Sequence, residues 1–185
     1  MGSVENFKVF MKAVQEVSPV PVRFDEISSG AKGYYSNTEK EIVIQNGMSE
    51  SQTMKTGIHE VTHAMLHDRD FMEEQGEKKN QMTKEVEAES VAYTVCQYFG
   101  LDTSDYSFPY IAGWSSSMDM KELRTSMDTI RKTAGSFIDS MTEVIQRLMR
   151  EQPELSLSAM KQAEILIDRV EQERTRHLVL WLRKP

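Results

Sequence analysis

The sequence predicts an α+β fold: a small, mainly antiparallel sheet within residues 20–45, followed by helices to the end of the chain. Three observations carry this. Segments rich in β-branched and aromatic residues are confined to "VPVRF" and "GYYSNTEKEIVIQNG". From about residue 50 onward, apolar residues recur at helical spacing. The two kinds of segment are separated along the chain rather than alternating, which argues against a parallel sheet built from strand–helix–strand units.

Taken in order, Val4, Phe7, Phe10, Met11, Val14 and Val17 share one face of an amphipathic first helix. "SPVPV" ends it, because proline cannot continue a helix and pushes its predecessor toward extended geometry. "VPVRF" is then a short strand and "SSGAKG" a loop. Tyr34 and Tyr35, a polar turn, and Ile42, Val43 and Ile44 make a hairpin closed by "NG". Ser49 or Ser51 caps a helix reaching about His67. "DRDFMEEQGEKKNQ" reads as a polar, mobile connection. A further helix runs from about Thr83 to Phe99 and stops at Gly100, a favourable residue just beyond a helix end. After an irregular "LDTSDYSFPY", a long helix spans about Met118 to Arg150, with a stripe of Leu123, Met127, Ile130, Ala134, Phe137, Met141, Ile145 and Leu148. Pro153 interrupts the pattern. Ser156 or Ser158 caps a last helix to Leu182, whose Leu157, Met160, Ile167 and Val170 would fold back on the stripe or meet a second copy. Folding back, and hence a monomer, is preferred. Residues 1–117 form the expected core and 118–185 a helical extension packed on it.

The chain has 185 residues, 39% hydrophobic and 28% charged, ordinary values for one soluble domain. Its formal net charge of -7 opposes binding to nucleic acid or an anionic membrane, which need a basic surface. The single cysteine, Cys96, excludes an internal disulfide framework and fits a reducing compartment; on this helix it is expected to be buried and inert. No stretch approaches the ~18 apolar residues of a membrane span, and the first residues lack the apolar core of a signal peptide. A cytoplasmic location is the expectation.

"TGIHEVTHAMLHD" holds three of the four histidines. His59 and His63, four residues apart, lie on one helical face and can converge on one zinc ion. Glu60, about 100° further round the helix, can stand beside a zinc-activated water without ligating the metal and act as general base. His67 lies too far along a straight helix to share the ion with both others, and its expected role is a cation near the helix C-terminus. His177 is read as a surface or packing residue. A catalytic zinc takes a third protein ligand. In "TKEVEAESVAY", Glu85 and Glu89 share a face, so one can ligate while the other orients a histidine through its second ring nitrogen. Glu85 is the favoured ligand and Glu89 the favoured orienting group, with the reverse left open. Glu87 points elsewhere and is read as an acidic residue favoured near a helix N-terminus.

"HEVTHAMLH" followed by "KEVEAESVAYTVCQYFG" resembles gluzincin-type metallopeptidase domains of the ImmA/IrrE kind. Together with "PVPVRF…GYYSNTEKEIVIQNG" and "YIAGW", it resembles more closely the metallopeptidase domain of ArdC-type antirestriction proteins and the LtrC-like proteins of mobile elements, over about residues 7–148. The resemblance implies a zincin-like fold and a zinc-dependent hydrolase, with His59, His63 and Glu85 matching the metal ligands and Glu60 the catalytic glutamate. ArdC-type proteins also carry an N-terminal domain that binds single-stranded DNA. This chain has no counterpart of it, so DNA binding is not carried over, and a fragment of a larger mobile-element protein is consistent with the difference. Nothing familiar matches the segment from about Pro153.

Other residues complete the expectation. Tyr34 and Tyr35, near the sheet edge, are candidate substrate-binding groups, and an edge strand at 41–45 could pair with an extended peptide. Tyr93, Tyr106 and Tyr110 could each donate to an oxyanion, Tyr110 being carried forward as a substrate-binding candidate. Trp114 reads as a core anchor. The function expected is zinc-dependent peptide-bond hydrolysis on a protein or peptide substrate. The alternatives are a non-proteolytic, zinc-containing antirestriction or interaction module and a metal-free helical scaffold. The intact Glu60 favours the enzyme, because a structural zinc needs no base beside it.

Overall fold

A computed structural model describes residues 4–101 and 120–151. The architecture is α+β: helix α1 (Val4–Val17), strands β1 (Val22–Asp25), β2 (Gly33–Ser36) and β3 (Glu41–Gln45), then helices α2 (Glu50–Leu66), α3 (Arg69–Glu74), α4 (Gln81–Tyr98) and α5 (Met120–Glu151). Tyr106, Tyr110, Trp114, His177 and the expected last helix lie outside the described residues. No helix among those described is long and apolar enough to cross a membrane.

The sheet has the order β1-β3-β2. The hairpin expected from the alternating pattern is present, with Tyr34 opposite Val43 and Tyr35 opposite Ile42 in antiparallel register. β1, however, pairs with β3 in parallel, Val22 beside Ile42 and Phe24 beside Ile44. The sheet is therefore mixed, not mainly antiparallel. The chain leaves β1, passes β3's position and returns through the hairpin, so that β3 takes the centre. This corrects a second expectation: 41–45 is no edge, since both its sides already carry strand partners. Among the described residues the edges are β1 and β2.

One face of the sheet packs on the helices. Ile42 and Ile44 join Phe10, Met11, Ala13 and Val14 of α1, Met54, Ile58, Val61 and Ala64 of α2, Val91, Ala92, Val95 and Cys96 of α4, and Ala134, Phe137 and Met141 of α5 in a single buried cluster. Burial raises the Cys96 thiol pKa to about 12, so it stays protonated. From the middle of α5 onward Ala134, Phe137, Met141 and Leu148 of the predicted stripe are buried and Ile145 is partly buried. Near its start the helix is turned, so that Met127 is 59% exposed and the neighbouring Ser126 faces inward. α4 ends as predicted: Gly100 adopts φ 76°, and the Leu101 N–H donates back to the Cys96 carbonyl.

The connection after α2 is not the mobile loop expected from its charge. Asp68 caps α3 by accepting from the backbone N–H groups of Asp70 and Phe71, and Met72 is buried. The same Asp68 carboxylate accepts from the Tyr35 hydroxyl at 2.5 Å and from Lys40 Nζ at 2.5 Å. Lys40 also reaches Asp70, and Asn37 accepts from the Arg69 N–H. The hairpin turn is thereby clamped onto the α2–α3 junction. Composition concealed this, because the clamp consists of the very charges that suggested a solvated loop.

Burial alone would raise the Asp68 pKa, but Lys40, Tyr35 and the Phe71 N–H outweigh it and hold the carboxyl at about 2. A folded pKa below the unfolded value of about 3.9 stabilises the fold above that value, and the contribution is lost as pH falls toward 2. Asp68→Ala is expected to lower stability at pH 7 by about 1–2 kcal/mol through the lost cap. The difference from wild type should shrink between pH 4 and 2 in urea denaturation; a constant gap would contradict this role.

Candidate metal centre

Ser49 caps α2, and from there an unbroken helix carries His59, Glu60 and His63 toward α4. His59 and His63 are one turn apart on the face that meets α4, and the side chains are largely buried. Their Nε2 atoms stand 3.1 Å from each other. Glu85 Oε2 completes a triangle, 3.4 Å from His59 Nε2 and 3.6 Å from His63 Nε2. Gln81, one turn earlier on α4, donates to the other Glu85 oxygen. Three donor atoms thus converge, the one cluster among the described residues whose donors could hold a metal ion.

The spacing can be tested against a particular ion. Zinc bonded tetrahedrally to nitrogen and oxygen at ~2.0–2.1 Å separates its ligand atoms by about 3.3–3.4 Å. The three separations of 3.1, 3.4 and 3.6 Å bracket that value, so the residues fit zinc. The electrostatics agree with a cation site. Hydrogen bonds to His59 and His63 hold the Glu85 carboxyl well below the usual carboxylate range. Burial pulls the His59 pKa down, but hydrogen bonds to Glu85 and Glu89 overcome it and raise the ring to about 9. A group of anionic carboxylates is therefore drawing positive charge to this point.

Glu89 lies where an orienting group belongs: its Oε2 is 3.4 Å from His59 Nδ1, and its Oε1 is 2.5 Å from Lys55 Nζ. Lys55 is a residue that the sequence analysis above does not include. It sits four residues before His59, hence on the same helical face, and that spacing is the signal that could have found it.

Two residues depart from expectation. Glu87 is not a helix-terminal charge: α4 begins at Gln81, and Glu87 is fully buried. Its Oε2 lies 3.0 Å from His67 Nε2 and 2.9 Å from Lys79 Nζ. The Ser126 hydroxyl of α5 also favours its ionised form, although Oε1 has no well-formed hydrogen bond. His67 stays out of the donor triangle, as its distance along the helix implied, but it is no exposed cation. It is 4% exposed, burial lowers its pKa, and its Nδ1 lies 2.9 Å from His63 Nδ1. Position on a helix was readable from the sequence; which helix would cover it was not.

Glu60 is buried beside this cluster, within electrostatic reach of His59, His63 and Glu85. Burial raises its pKa, while the Tyr35 backbone N–H, donating from edge strand β2, opposes the rise. Tyr35's hydroxyl is occupied by Asp68, and burial and that bond push its pKa up to about 12. Tyr35 therefore acts on the site through its backbone, and its side chain is not free to meet a substrate as expected. Tyr34, on the opposite face of the strand, is 41% exposed.

The contact between β2 and Glu60 requires Gly33. A Cβ there would come within 2.7 Å of Thr56 Cγ2, 3.1 Å of the Val43 carbonyl and 3.2 Å of Glu60 Cγ. Gly33→Ala is expected to destabilise the fold by about 1–3 kcal/mol, the usual effect of overpacking. Chemical denaturation measures this, and an unchanged midpoint would mean that the strand does not press on α2.

Comparison with known proteins adds one relative. The chain is 36% identical over 112 residues to an uncharacterised protein of Bacillus anthracis. The match covers 60% of this chain and 18% of that protein's length. No family model matches the chain. No solved structure matches it.

Proposed function

We propose that this chain is a zinc-dependent metallopeptidase domain of the zincin type, with His59, His63 and Glu85 as metal ligands and Glu60 as general base. The observation that carries the reading is the convergence of two imidazole nitrogens and one carboxylate oxygen at tetrahedral-edge spacing beside a buried glutamate. The described residues bring three protein donors together, the number a catalytic zinc takes. When bound, zinc supplies a Lewis acid that acidifies water toward pKa ~7 and polarises a carbonyl.

The chain's own residues supply the rest. Glu60 takes the proton of the attacking water and passes it to the leaving amine nitrogen. In the metal-free chain burial raises its pKa, which favours uptake of that proton. Glu89, held by Lys55, keeps the His59 ring in place. β2 is the sheet edge beside Glu60, so an extended peptide has a strand there to pair with, and exposed Tyr34 lies on that strand. The substrate class is protein or peptide. The resemblance to ArdC-type and LtrC-like domains adds the setting of a mobile-element antirestriction or regulatory protein acting in the cytoplasm.

Glu60→Gln separates catalysis from metal binding. The variant is expected to bind one zinc per chain like wild type, while cleavage of a proteome-derived peptide library falls by about 10²–10⁴-fold. Mass spectrometry of the cleaved termini and of metal content reads both. A Glu60→Gln protein that cleaves as well as wild type would refute the peptidase reading.

A further inference from the structure

We propose that His67 and Glu87, anchored by Lys79, form a relay that fixes the ring tautomer of His63 and presents its bare Nε2 to the metal. The inference rests on the zinc reading above and assigns positioning roles to three residues outside the ligand set. It follows from proton counting along three short contacts. Glu87 is an ionised carboxylate and can only accept, so the 3.0 Å contact makes His67 Nε2 a donor. The Lys79 ammonium already faces the Glu87 charge, 2.9 Å from the same oxygen, and is shared with the more exposed Glu77 at 3.2 Å. A bare His63 Nε2, which the zinc reading requires, leaves His67 Nδ1 as an acceptor and His67 neutral, and the 2% and 0% exposure of the His67 and Glu87 side chains disfavours a further charge beside Lys79.

A neutral His67 with its proton on Nε2 has a bare Nδ1. The 2.9 Å contact between the two Nδ1 atoms still needs one proton, and only His63 can supply it. His63 is then the Nδ1–H tautomer, and its Nε2 lone pair faces His59 Nε2 and Glu85 Oε2, at 3.1 and 3.6 Å. The helix repeat explains the extra imidazole. His67, the residue that closes the C-terminus of α2, lies one turn beyond His63 and spans from its ring to Glu87. His59 needs no such spacer, because Glu89 contacts its Nδ1 directly and is held in turn by Lys55. Each metal-facing ring is thus backed by a carboxylate–lysine pair, one directly and one through a second ring.

The test combines spectroscopy with metal affinity on the full 185-residue chain. Long-range ¹H–¹⁵N correlation of the imidazoles, in metal-free and zinc-loaded protein, is expected to show the His63 proton on Nδ1 and the His67 proton on Nε2. Zinc competition with a chromophoric chelator is expected to show His67→Leu weakened by about 10–100-fold, the usual effect of losing a group that orients a ligand. His67→Gln should recover most of that loss, because its amide can accept from His63 and donate to Glu87. A His63 proton on Nε2 in the metal-free chain, or His67→Leu binding zinc as tightly as wild type, would overturn the relay and leave the zinc reading standing. Wild-type protein that binds no zinc would overturn both. The wild-type spectra keep the test independent of whether His67→Leu folds.

Discussion

The face of α2 that carries His59 and His63, with His67 at its C-terminal cap, lies against α4, which carries Glu85, Glu87 and Glu89, and the candidate site depends on that one helix–helix contact. Three imidazoles and three carboxylates meet in a largely buried seam. Burying an ionised carboxylate without a partner costs several kcal/mol or more. Each carboxylate here has one: Glu85 faces two histidines, Glu87 faces His67 and Lys79, and Glu89 faces His59 and Lys55. The apolar cluster on either side, with Ile58 and Val61 from α2 and Val91 and Val95 from α4, sets how close the helices come and hence how far apart the donor atoms lie.

The sheet completes the arrangement from the other side of α2. β2 approaches closely enough, at Gly33, to place a backbone N–H against Glu60. The clamp of Tyr35 and Lys40 on Asp68 then fixes the far end of α2, one residue beyond His67. The helix bearing the two candidate histidine ligands is thus held along its length by α4 and at its end by the hairpin. Under the proposed zinc reading, candidate ligands placed on two packed helices would need little rearrangement to receive an ion, which keeps the entropic cost of binding low.

How much of this was legible in the sequence depended on whether the information was periodic. His59 and His63 at four-residue spacing, and Glu85 and Glu89 at the same spacing, announce shared helical faces. The hairpin likewise follows from alternation around a polar turn. Glu85 and Glu89 could not be separated by spacing, because both lie on one face. They differ in their neighbours: Lys55 and His59 Nδ1 hold Glu89, while Glu85 faces the two Nε2 atoms. His67 and Glu87 were misjudged because their partnership spans twenty residues and two helices, and no local pattern encodes it. The parallel pairing of β1 escaped for a similar reason, since the link over residues 26–32 allows either placement. The short α3 was hidden by its charges, which turn out to be bound to the hairpin.

The most direct measurement of the central claim is zinc-edge anomalous diffraction from crystals of the zinc-loaded chain. The account predicts one peak bonded at ~2.0–2.1 Å to His59 Nε2, His63 Nε2 and a Glu85 oxygen, with Glu89 at His59 Nδ1 rather than on the ion. A peak ligated by Glu89 in place of Glu85, or held by His67, or absent from the α2–α4 seam, would contradict it.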